Sequence, residues 1–339
     1  MSDVVTFDRV SIVFGDRPTD ALPLMDAGAN RAEVAEATGQ ILGVHDCSLT
    51  VHEGEMVVLM GLSGSGKSTL LRAVNGLAHP VRGEVRVHDG DEAISVTHAD
   101  ARTLRRLRRN RIAMVFQQFG LLPWRSVAEN VGLGLEFEGI QWRERDERVR
   151  HQLEIVGLAD RADARVAELS GGMQQRVGLA RAFATEAPIL LMDEPFSALD
   201  PLIRTRLQDE LCVLQRQLRR TVIFVSHDLD EAFKLGDRIA IMDGGRIVQQ
   251  GTPRDIFTRP ASDYVADFVA QMNPLGVLCA RDVMTPPDGP ADGAVPPDLP
   301  LAEVMNRLRG RPLAVAEDGR VLGHVTERAV LARLAAPRG

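Results

Sequence analysis

GLSGSGKS, residues 61–68, decides the fold class of this chain of 339 residues. The stretch fits the pattern G-x-x-x-x-G-K-[ST] and lies between an apolar run typical of a buried strand and a run typical of a helix. Glycines let the backbone wrap a phosphate chain, and Lys67 and the Ser68 hydroxyl are placed to reach phosphates and Mg²⁺. Lys67 is one of two lysines, the other being Lys234, in a chain that otherwise uses arginine. We therefore expect a nucleotide-binding loop and not an ordinary glycine-rich turn.

Polar residues follow three other apolar runs that predict buried strands. ILLMDEP delivers Asp193, expected to support Mg²⁺, and Glu194, expected to polarise the attacking water. His227 ends TVIFVSH, and its imidazole there can touch a γ-phosphate. Gln117, in MVFQQF, could ligate Mg²⁺ or position water, and neighbouring Gln118 competes with it for that role. Together these residues predict an ATP-hydrolysing site at one edge of a sheet.

The order of the predicted elements indicates an α/β fold. Buried strands alternate with amphipathic helices, which implies a mostly parallel sheet covered on both faces. SLTVHEGEMVVLMG predicts a hairpin turning at Glu53-Gly54, and DRIAIMDGGRIVQQG predicts a closing hairpin. An insert, residues 16–42, follows the opening strand VVTFDRVSIVF. We expect one short helix there, capped by Asn30 and Glu33 and ended by Gly39.

The C-terminal part is expected to be a separate small unit. We place a boundary near residues 271–276, which gives domains over residues 1–270 and 277–336. Residues 286–300 contain six prolines and two glycines, so we predict a loop or linker there and no core element. The rest is predicted to run helix, strand, turn, strand, helix.

Composition restricts the class of protein. The net charge of −7 and the pI near 5.7 argue against nucleic-acid binding, although RTLRRLRRNR contains six arginines, which we interpret as a solvated face. Three cysteines share no close spacing, so neither disulfides nor a zinc site is expected. The N-terminus lacks the pattern of a signal peptide, and no apolar run approaches the roughly 20 residues that span a bilayer. A cytosolic protein is the expectation.

Five motifs in one order carry a family resemblance. GLSGSGKST, FQQFGLLP, LSGGMQQR, ILLMDEPFSALD and SHD resemble the motifs of an ABC-transporter ATP-binding subunit, over residues 1 to about 270. The resemblance implies a P-loop NTPase with an ABC-type nucleotide-binding domain, comprising the mostly parallel sheet, a helical subdomain and an antiparallel β subdomain. It implies ATPase activity that uses ATP and Mg²⁺. The LSGGQ signature of the family is LSGGM here, with Met173 in the last position.

The resemblance also implies a dimer of two copies arranged head to tail, with ATP between them. Ser170, Gly171 and Gly172 would then bind the γ-phosphate that the other copy's Lys67 loop holds, and Asp200 lies in a segment lining the same interface. Phe14 matches the aromatic residue that stacks on adenine. The implied nucleotide-binding residues are Gly61, Ser63, Gly64, Ser65, Gly66, Lys67, Ser68, Thr69, Phe14, Ser170, Gly171, Gly172 and Asp200, the implied Mg²⁺ residues are Ser68, Gln117 and Asp193, and the implied catalytic residues are Glu194, His227 and Gln117.

Within the family, the insert and LLPWRSVAENVGLGLE resemble the importers of quaternary amines, most closely the choline importer's ATP-binding subunit. Glycine betaine/proline betaine import is the alternative substrate, and a soluble, non-transport ABC ATPase is a more distant one. Import implies integral-membrane permease subunits, a separate substrate-binding protein, no nucleic acid, and a peripheral location on the cytoplasmic face of the inner (plasma) membrane.

The C-terminal unit resembles a single CBS module. Such modules hold a ribose with G-x-x-T-x-x-D, and this chain has Gly323 and Thr326 but Ala329 in place of the aspartate. We therefore favour a packing or dimer-contact role over nucleotide binding. A chain whose main task is sensing through this unit is a third functional hypothesis.

Overall fold

The computed structural model describes residues 2–90, 92–270 and 272–335, apart from the side chain of Leu214. The outer ends of the two predicted domains, residues 1 and 336, lie outside the described residues. The strands are β1 (Asp3–Phe14), β2 (Ile41–His52), β3 (Met56–Met60), β4 (Arg82–Asp89), β5 (Glu92–Ser95), β6 (Ile112–Val115), β7 (Ile189–Asp193), β8 (Thr221–Val225), β9 (Arg238–Asp243), β10 (Arg246–Gly251), β11 (Ala294–Val295), β12 (Leu313–Glu317) and β13 (Arg320–Val325).

Most of the helices lie between these strands, and four short 3₁₀ turns accompany them in the described residues. The α-helices are α1 (Leu22–Asp26), α2 (Arg31–Thr38), α3 (Lys67–Ala73), α4 (Ala101–Asn110), α5 (Val127–Val131), α6 (Leu133–Glu138), α7 (Trp142–Ile155), α8 (Gly171–Ala184), α9 (Pro201–Leu218), α10 (Leu229–Leu235), α11 (Pro253–Thr258), α12 (Asp263–Phe268), α13 (Ala280–Val283), α14 (Leu301–Arg307) and α15 (Glu327–Ala335).

A six-stranded sheet of order β10-β9-β3-β8-β7-β6 forms the centre of the nucleotide-binding part. Strands β3, β8, β7 and β6 are parallel neighbours, and every residue of β3, β7 and β8 is buried. Continuous apolar runs such as MVVLM suit this position because helices cover both faces of a parallel sheet. Helix α3 packs on β7 and β8, and α4 and α8 pack on β6. The sheet therefore brings the polar ends of β7 and β8 next to the loop that precedes α3.

The hairpin predicted at Glu53-Gly54 is wrong, although the chain does turn there. Strand β2 pairs with β1 in a second sheet of order β2-β1-β4-β5, whereas β3 pairs with β8 in parallel register. The backbone N–H of Gly54 donates to Oγ1 of Thr221 at 3.0 Å, which ties the turn to the start of β8. The turn thus carries the chain from the antiparallel sheet into the parallel one, and the two sheets share one hydrophobic core. The closing hairpin of β9 and β10 is as predicted.

The insert forms a small structure of its own against the antiparallel sheet. It contains α1 and α2, where only one helix was predicted, and Met25, Val34 and Leu42 are buried in its core. Asp26 accepts two hydrogen bonds of 2.8 Å from the Arg82 guanidinium. Hydrogen bonds from Arg82 and His45 lower the pKa of Asp26 to about 2. The insert is therefore held on β2 and β4 by a carboxylate that stays ionised.

Two compact units make up the described chain: one runs up to His227 and includes Ala240–Ile247, and the other comprises Asp228–Ile239 and the chain from Val248. In the second unit, β11, β12 and β13 form a three-stranded sheet flanked by α13, α14 and α15. None of the helices among the described residues combines the length and the hydropathy needed to span a bilayer.

The prediction of a plain linker over residues 286–300 is wrong in part. Ala294 and Val295 form β11, which pairs in parallel with β12, and Val295 is buried. Two residues are too few to show any periodicity in the sequence, and their strand conformation depends on hydrogen-bonded pairing with β12.

Candidate active site

The phosphate loop, residues 61–68, follows the buried end of β3 and includes the first two residues of α3. Gly61 and Gly66 have φ angles of 139° and 102°, which residues other than glycine rarely adopt. A Cβ atom on Gly61 would lie 2.1 Å from the carbonyl oxygen of Met242, so this position also needs glycine for space. The loop predicted from its glycines is therefore a tight turn whose backbone conformation and packing require glycine at these positions.

Lys67 lies inside that loop and is almost fully buried. Its Nζ donates hydrogen bonds of 2.9 Å to the carbonyl oxygens of Gly61 and Leu62. Burial lowers the pKa of Lys67, while the negative charges of Glu194 and Asp193 oppose that shift. The hydroxyl of Ser65 is buried without a hydrogen-bond partner in the described part of the chain. A desolvated ammonium and an unpaired hydroxyl suit a loop that accepts an anion.

Asp193 connects the loop to β7. Its Oδ1 accepts a 2.6 Å hydrogen bond from the Ser68 hydroxyl, and its Oδ2 accepts a 2.9 Å bond from Nη2 of Arg72. The side chain is fully buried, so Arg72 compensates its charge. Sequence reasoning missed Arg72, although its position four residues after Ser68 on α3 puts both side chains on one helix face. The described residues hold no cluster of three or more His, Cys, Asp and Glu side chains suited to a metal. A hydroxyl and a carboxylate together are nevertheless the oxygen ligands that Mg²⁺ prefers.

The carboxylate of Glu194 contacts two other predicted catalytic residues, Gln117 and His227. Nε2 of Gln117 lies 3.4 Å from Oε2 of Glu194, and Nδ1 of His227 lies 3.5 Å from the same oxygen. Gln117, and not the competing Gln118, makes this hydrogen bond. Glu194 has a φ angle of 49°, a left-handed conformation that strains a residue with a Cβ atom. Its backbone N–H donates to the carbonyl of Val225 at 3.1 Å, which fixes the strained residue at the edge of the sheet.

Gln175 supports the backbone of Glu194 and was not predicted from the sequence. It is buried on α8, donates to the Glu194 carbonyl at 3.1 Å, and accepts from the N–H of Ala198 at 3.0 Å. It therefore links α8 to the segment that carries Glu194. A lone glutamine within a helix gives no sequence signal for such a role.

Ser170, Gly171 and Gly172 begin α8 on an exposed surface. The hydroxyl of Ser170 accepts a 3.4 Å hydrogen bond from the N–H of Met173. A Cβ atom on Gly171 would meet nothing within 4 Å, whereas one on Gly172 would lie 3.0 Å from the carbonyl of Ala198. Asp200 likewise caps α9, accepting from the N–H of Ile203 at 3.0 Å. These residues flank an open helix start in the described chain.

Phe14 lies at the end of β1 beside the phosphate loop. A Cβ atom on Gly43 would lie 2.9 Å from Cε2 of Phe14 and 3.2 Å from Cγ2 of Thr69, so these two side chains flank Gly43. Phe14 is 45% exposed, which leaves part of its ring open. The remaining predicted loop residues, Ser63 and Gly64, are exposed.

Comparisons with known proteins identify this arrangement. Residues 44–197 match the family model "ABC transporter". The glycine betaine/proline betaine transport system ATP-binding protein ProV of Salmonella typhimurium is 50% identical over 271 residues, which are 80% of this chain and 67% of ProV. The chain thus spans about two thirds of that relative. The glycine betaine transport ATP-binding protein OpuAA of Bacillus subtilis is 45% identical over 83% of this chain and 66% of its own length.

Two further similarities cover nearly the whole of the matched protein. The trimethylamine N-oxide transport system ATP-binding protein TmoW of Ruegeria pomeroyi is 42% identical over 97% of this chain and 96% of TmoW. The dimeric structure of a post-hydrolysis state of an ATP-binding cassette, bound to ADP and Pi, superposes with a TM-score of 0.64 at 32% identity, covering 74% of this chain and 99% of that chain. The fold and the ATPase activity expected from the motifs are thereby confirmed. The chain belongs to the ABC transporter ATP-binding proteins, and within them to the group of the glycine betaine, proline betaine and trimethylamine N-oxide transport systems.

Proposed function

We propose that this ABC ATPase powers the import of a betaine-type quaternary or methylated amine through a membrane permease that a substrate-binding protein supplies. The observation that carries the proposal is the similarity to ProV, at 50% identity, and to TmoW, over 96% of its length. The reported relatives are all named for transport systems, which favours transport over a soluble ATPase. A peripheral position on the cytoplasmic face of the membrane follows from that role.

The substrate we favour is the alternative, glycine betaine or proline betaine, in place of choline. ProV is named for glycine betaine and proline betaine, OpuAA is named for glycine betaine, and TmoW, matched over 96% of its length, is named for trimethylamine N-oxide. These solutes share a methylated cationic or dipolar nitrogen, and an aromatic cage recognises such a group by cation–π contact. We assign that cage to the substrate-binding protein.

For hydrolysis, we assign the polarisation of the attacking water to Glu194. Gln117 and His227 both reach Oε2 of Glu194, so they hold the carboxylate and the water it orients. Lys67 stabilises negative charge on the transferred phosphoryl group. Ser68 and Asp193 would hold Mg²⁺, which supplies charge neutralisation at the phosphate oxygens.

We further propose that two copies enclose the nucleotide. The start of α8 supports this assignment, because Gly171 faces open space and the helix presents unpaired N–H groups there. A phosphate held by the other copy's Lys67 loop would satisfy those groups. The N–H of Met173 already has a partner in Ser170, so the contact falls to the glycine backbone and the Ser170 hydroxyl.

The permease is proposed to dock in an open groove lined by α4, β6, α6 and α8. The groove has a volume of about 1240 Å³, and Phe116, Phe137 and Arg181 line it together with arginines of α4. Arg181 donates to the carbonyl oxygens of Phe119 and Gly120, just after Gln117. Movement of a docked segment would therefore reach the two residues, Phe119 and Gly120, that follow shortly after Gln117 in the chain. The arginines of α4 interpreted as a solvated face thus also border a cavity.

The C-terminal CBS-like unit, residues 277–336, is proposed to act in packing or dimer contact. Its Thr326 hydroxyl accepts a 3.1 Å hydrogen bond from the N–H of Ala329, so the threonine of the ribose motif caps α15. The missing aspartate leaves this position without the carboxylate that would hold a ribose. Residues 271–276 remain the proposed boundary before it.

Uptake in cells tests the import proposal. Cells carrying the parent gene, a deletion, or Glu194→Gln are given labelled glycine betaine, trimethylamine N-oxide or choline at high osmolarity. We expect saturable glycine betaine uptake in the parent and its loss in both other strains, with choline transported least. Uptake of all three solutes at the parent rate in the deletion strain would contradict the import role. If only choline uptake were lost, choline would be the substrate, as first expected from the sequence.

A further inference from the structure

The insert between β1 and β2 places a cation beside the phosphate loop. Arg31 is the first residue of α2, and a capping box fixes that helix start. Oδ1 of Asn30 accepts from the N–H groups of Ala32 and Glu33 at 2.9 and 3.1 Å, and the Glu33 carboxylate accepts from the N–H of Asn30 at 2.8 Å. The backbone from which Arg31 projects is therefore well defined.

The guanidinium of Arg31 lies against the glycines of the phosphate loop. Its Nη2 donates to the carbonyl oxygen of Gly43. A Cβ atom on Gly64 would lie 3.6 Å from Nη1, and Cβ atoms on Gly66 and Gly245 would each lie 3.4 Å from Nη2. The side chain thus fills the space between the loop, the start of β2 and the turn after β9.

The charge of Arg31 is poorly compensated there. Its Nε is buried and has no hydrogen-bond partner within the described ranges. Burial lowers the pKa of Arg31, and the negative charge of Asp243 only partly opposes that shift. Burying a guanidinium that has one backbone acceptor and an unpaired N–H costs free energy. A bound anion would lower that cost by accepting the remaining hydrogen bonds.

A bound nucleotide would supply that anion. This inference rests on the nucleotide site proposed above, in which Lys67 binds the terminal phosphates and Phe14 stacks on the base. Gly43, which accepts from Arg31, also lies between Phe14 and Thr69, so the path from base to phosphates passes the guanidinium. We propose that Arg31 is a nucleotide-binding residue, which donates charge-assisted hydrogen bonds to the phosphate chain of ATP. A planar guanidinium suits phosphate oxygens better than a flexible ammonium does.

Equilibrium binding of nucleotides, measured by calorimetry on the full chain in EDTA, tests this role. Arg31→Met keeps most of the side-chain volume and removes the charge, and Arg31→Lys restores a charge without the planar fork. We expect Arg31→Met to weaken ATP and ADP binding by about tenfold or more, because the change removes hydrogen bonds from a charged donor to phosphate oxygens. Arg31→Lys should recover part of the loss. Arg17→Ala removes an exposed arginine of the same insert and should bind as the parent does.

The melting temperature without nucleotide separates binding from a structural role. The proposal predicts that Arg31→Met melts within a few degrees of the parent, and that the loss of affinity for ATP shrinks at high salt because charge is screened. The proposal is overturned if Arg31→Met binds ATP within twofold of the parent. It is equally overturned if Arg31→Met and Arg31→Lys lose affinity equally and both melt far below the parent.

Discussion

The phosphate loop before α3 and the segment before α8 both lead into a helix, and they differ in how far the folded chain encloses them. The phosphate loop before α3 is enclosed: Lys67 is buried within it, Ser68 is bonded to Asp193, and Arg31 closes one side. The start of α8 is open: a Cβ atom on Gly171 would touch nothing within 4 Å, and Ser170 is exposed. The first loop therefore lies beside the proposed catalytic residues of its own chain, whereas Gly171 at the second faces open space within the described residues.

The difference teaches where each helix start acts. We expect the enclosed loop, with its desolvated lysine, to bind phosphate whether or not a second copy is present. An open helix start contributes only when another molecule brings an anion to it. Damage to the first should therefore affect nucleotide binding, and damage to the second should affect hydrolysis alone.

Glu194→Gln should give the largest effect. The change keeps the side chain's shape but removes the carboxylate to which we assign the polarisation of water, so we expect hydrolysis to fall by roughly 10²–10⁴-fold, the range for a general base. ATP affinity should stay within a few fold of the parent. Phosphate release in single turnover measures the loss, and Glu154→Gln, an exposed carboxylate on α7, is the matched control. Hydrolysis at the parent rate in the Glu194 variant would remove it from the mechanism.

Lys67→Ala should act on binding itself. The loss of the buried ammonium would remove the charge-assisted hydrogen bonds to phosphate that we propose for Lys67. Each such bond contributes about 1.5–3 kcal/mol, so ATP affinity should fall by about 10- to 100-fold. Lys234→Ala removes the other lysine of the chain and should leave affinity unchanged. Equal affinity for ATP in the two variants would show that the enclosed loop is not where phosphate binds.

Gly171→Asp should separate stability from activity. An aspartate in the first turn favours the helix by about 0.3–1 kcal/mol, and the folded chain has room for it. Yet its charge would repel a phosphate brought by a second copy, so hydrolysis should fall at least about tenfold. Like charges 4 Å apart at an effective dielectric of 20 repel by about 4 kcal/mol. Urea unfolding and a steady-state ATPase assay measure the two effects.

Gly171→Ala provides the neutral control for that experiment, because it adds a side chain without a charge. It should retain most of the hydrolysis rate. If Gly171→Asp hydrolyses ATP as fast as Gly171→Ala, no phosphate approaches the open helix start.

Ser170→Ala should give the smallest effect of these variants, a slight decrease in the free energy of unfolding. N-cap replacement costs about 0.5–2 kcal/mol in the free energy of unfolding, and the 3.4 Å bond to Met173 places this cap at the low end. Asn30→Ala, which breaks a full capping box on α2, should destabilise the chain more. Urea unfolding of both variants tests the order, and a larger loss for Ser170→Ala would contradict the account of these two caps.

The phosphate loop could be predicted from the sequence far better than the residues that hold the site in place, which are Arg72, Gln175 and Arg31. GLSGSGKS and ILLMDEP combine an apolar run with polar residues at its end, a local pattern that fixes both strand and site. Arg72 and Asp193 are 121 residues apart, and nothing local to either predicts their ion pair. Gln175 and Arg31 are held in place by hydrogen bonds to backbone carbonyls, and such bonds leave no residue-specific signal in the sequence.

The errors in the fold have a similar cause. A Glu53-Gly54 turn serves equally well in a hairpin and in a crossing between sheets, and β8, more than 160 residues later, decides between them. Val295 becomes a strand residue because β12 lies beside it. Local chemistry predicts where an element ends, whereas long-range pairing decides what it joins.

A mixed dimer tests most directly the claim that the open helix start serves the other copy. Differently tagged copies are reconstituted with the permease, and ATPase activity is compared for two arrangements of the same two lesions. With Lys67→Ala in one copy and Gly171→Asp in the other, both lesions fall on one nucleotide site, and about one site's worth of hydrolysis should remain. With both lesions in one copy beside a parent copy, each site carries one lesion, and hydrolysis should be lost; the reverse result would contradict the account.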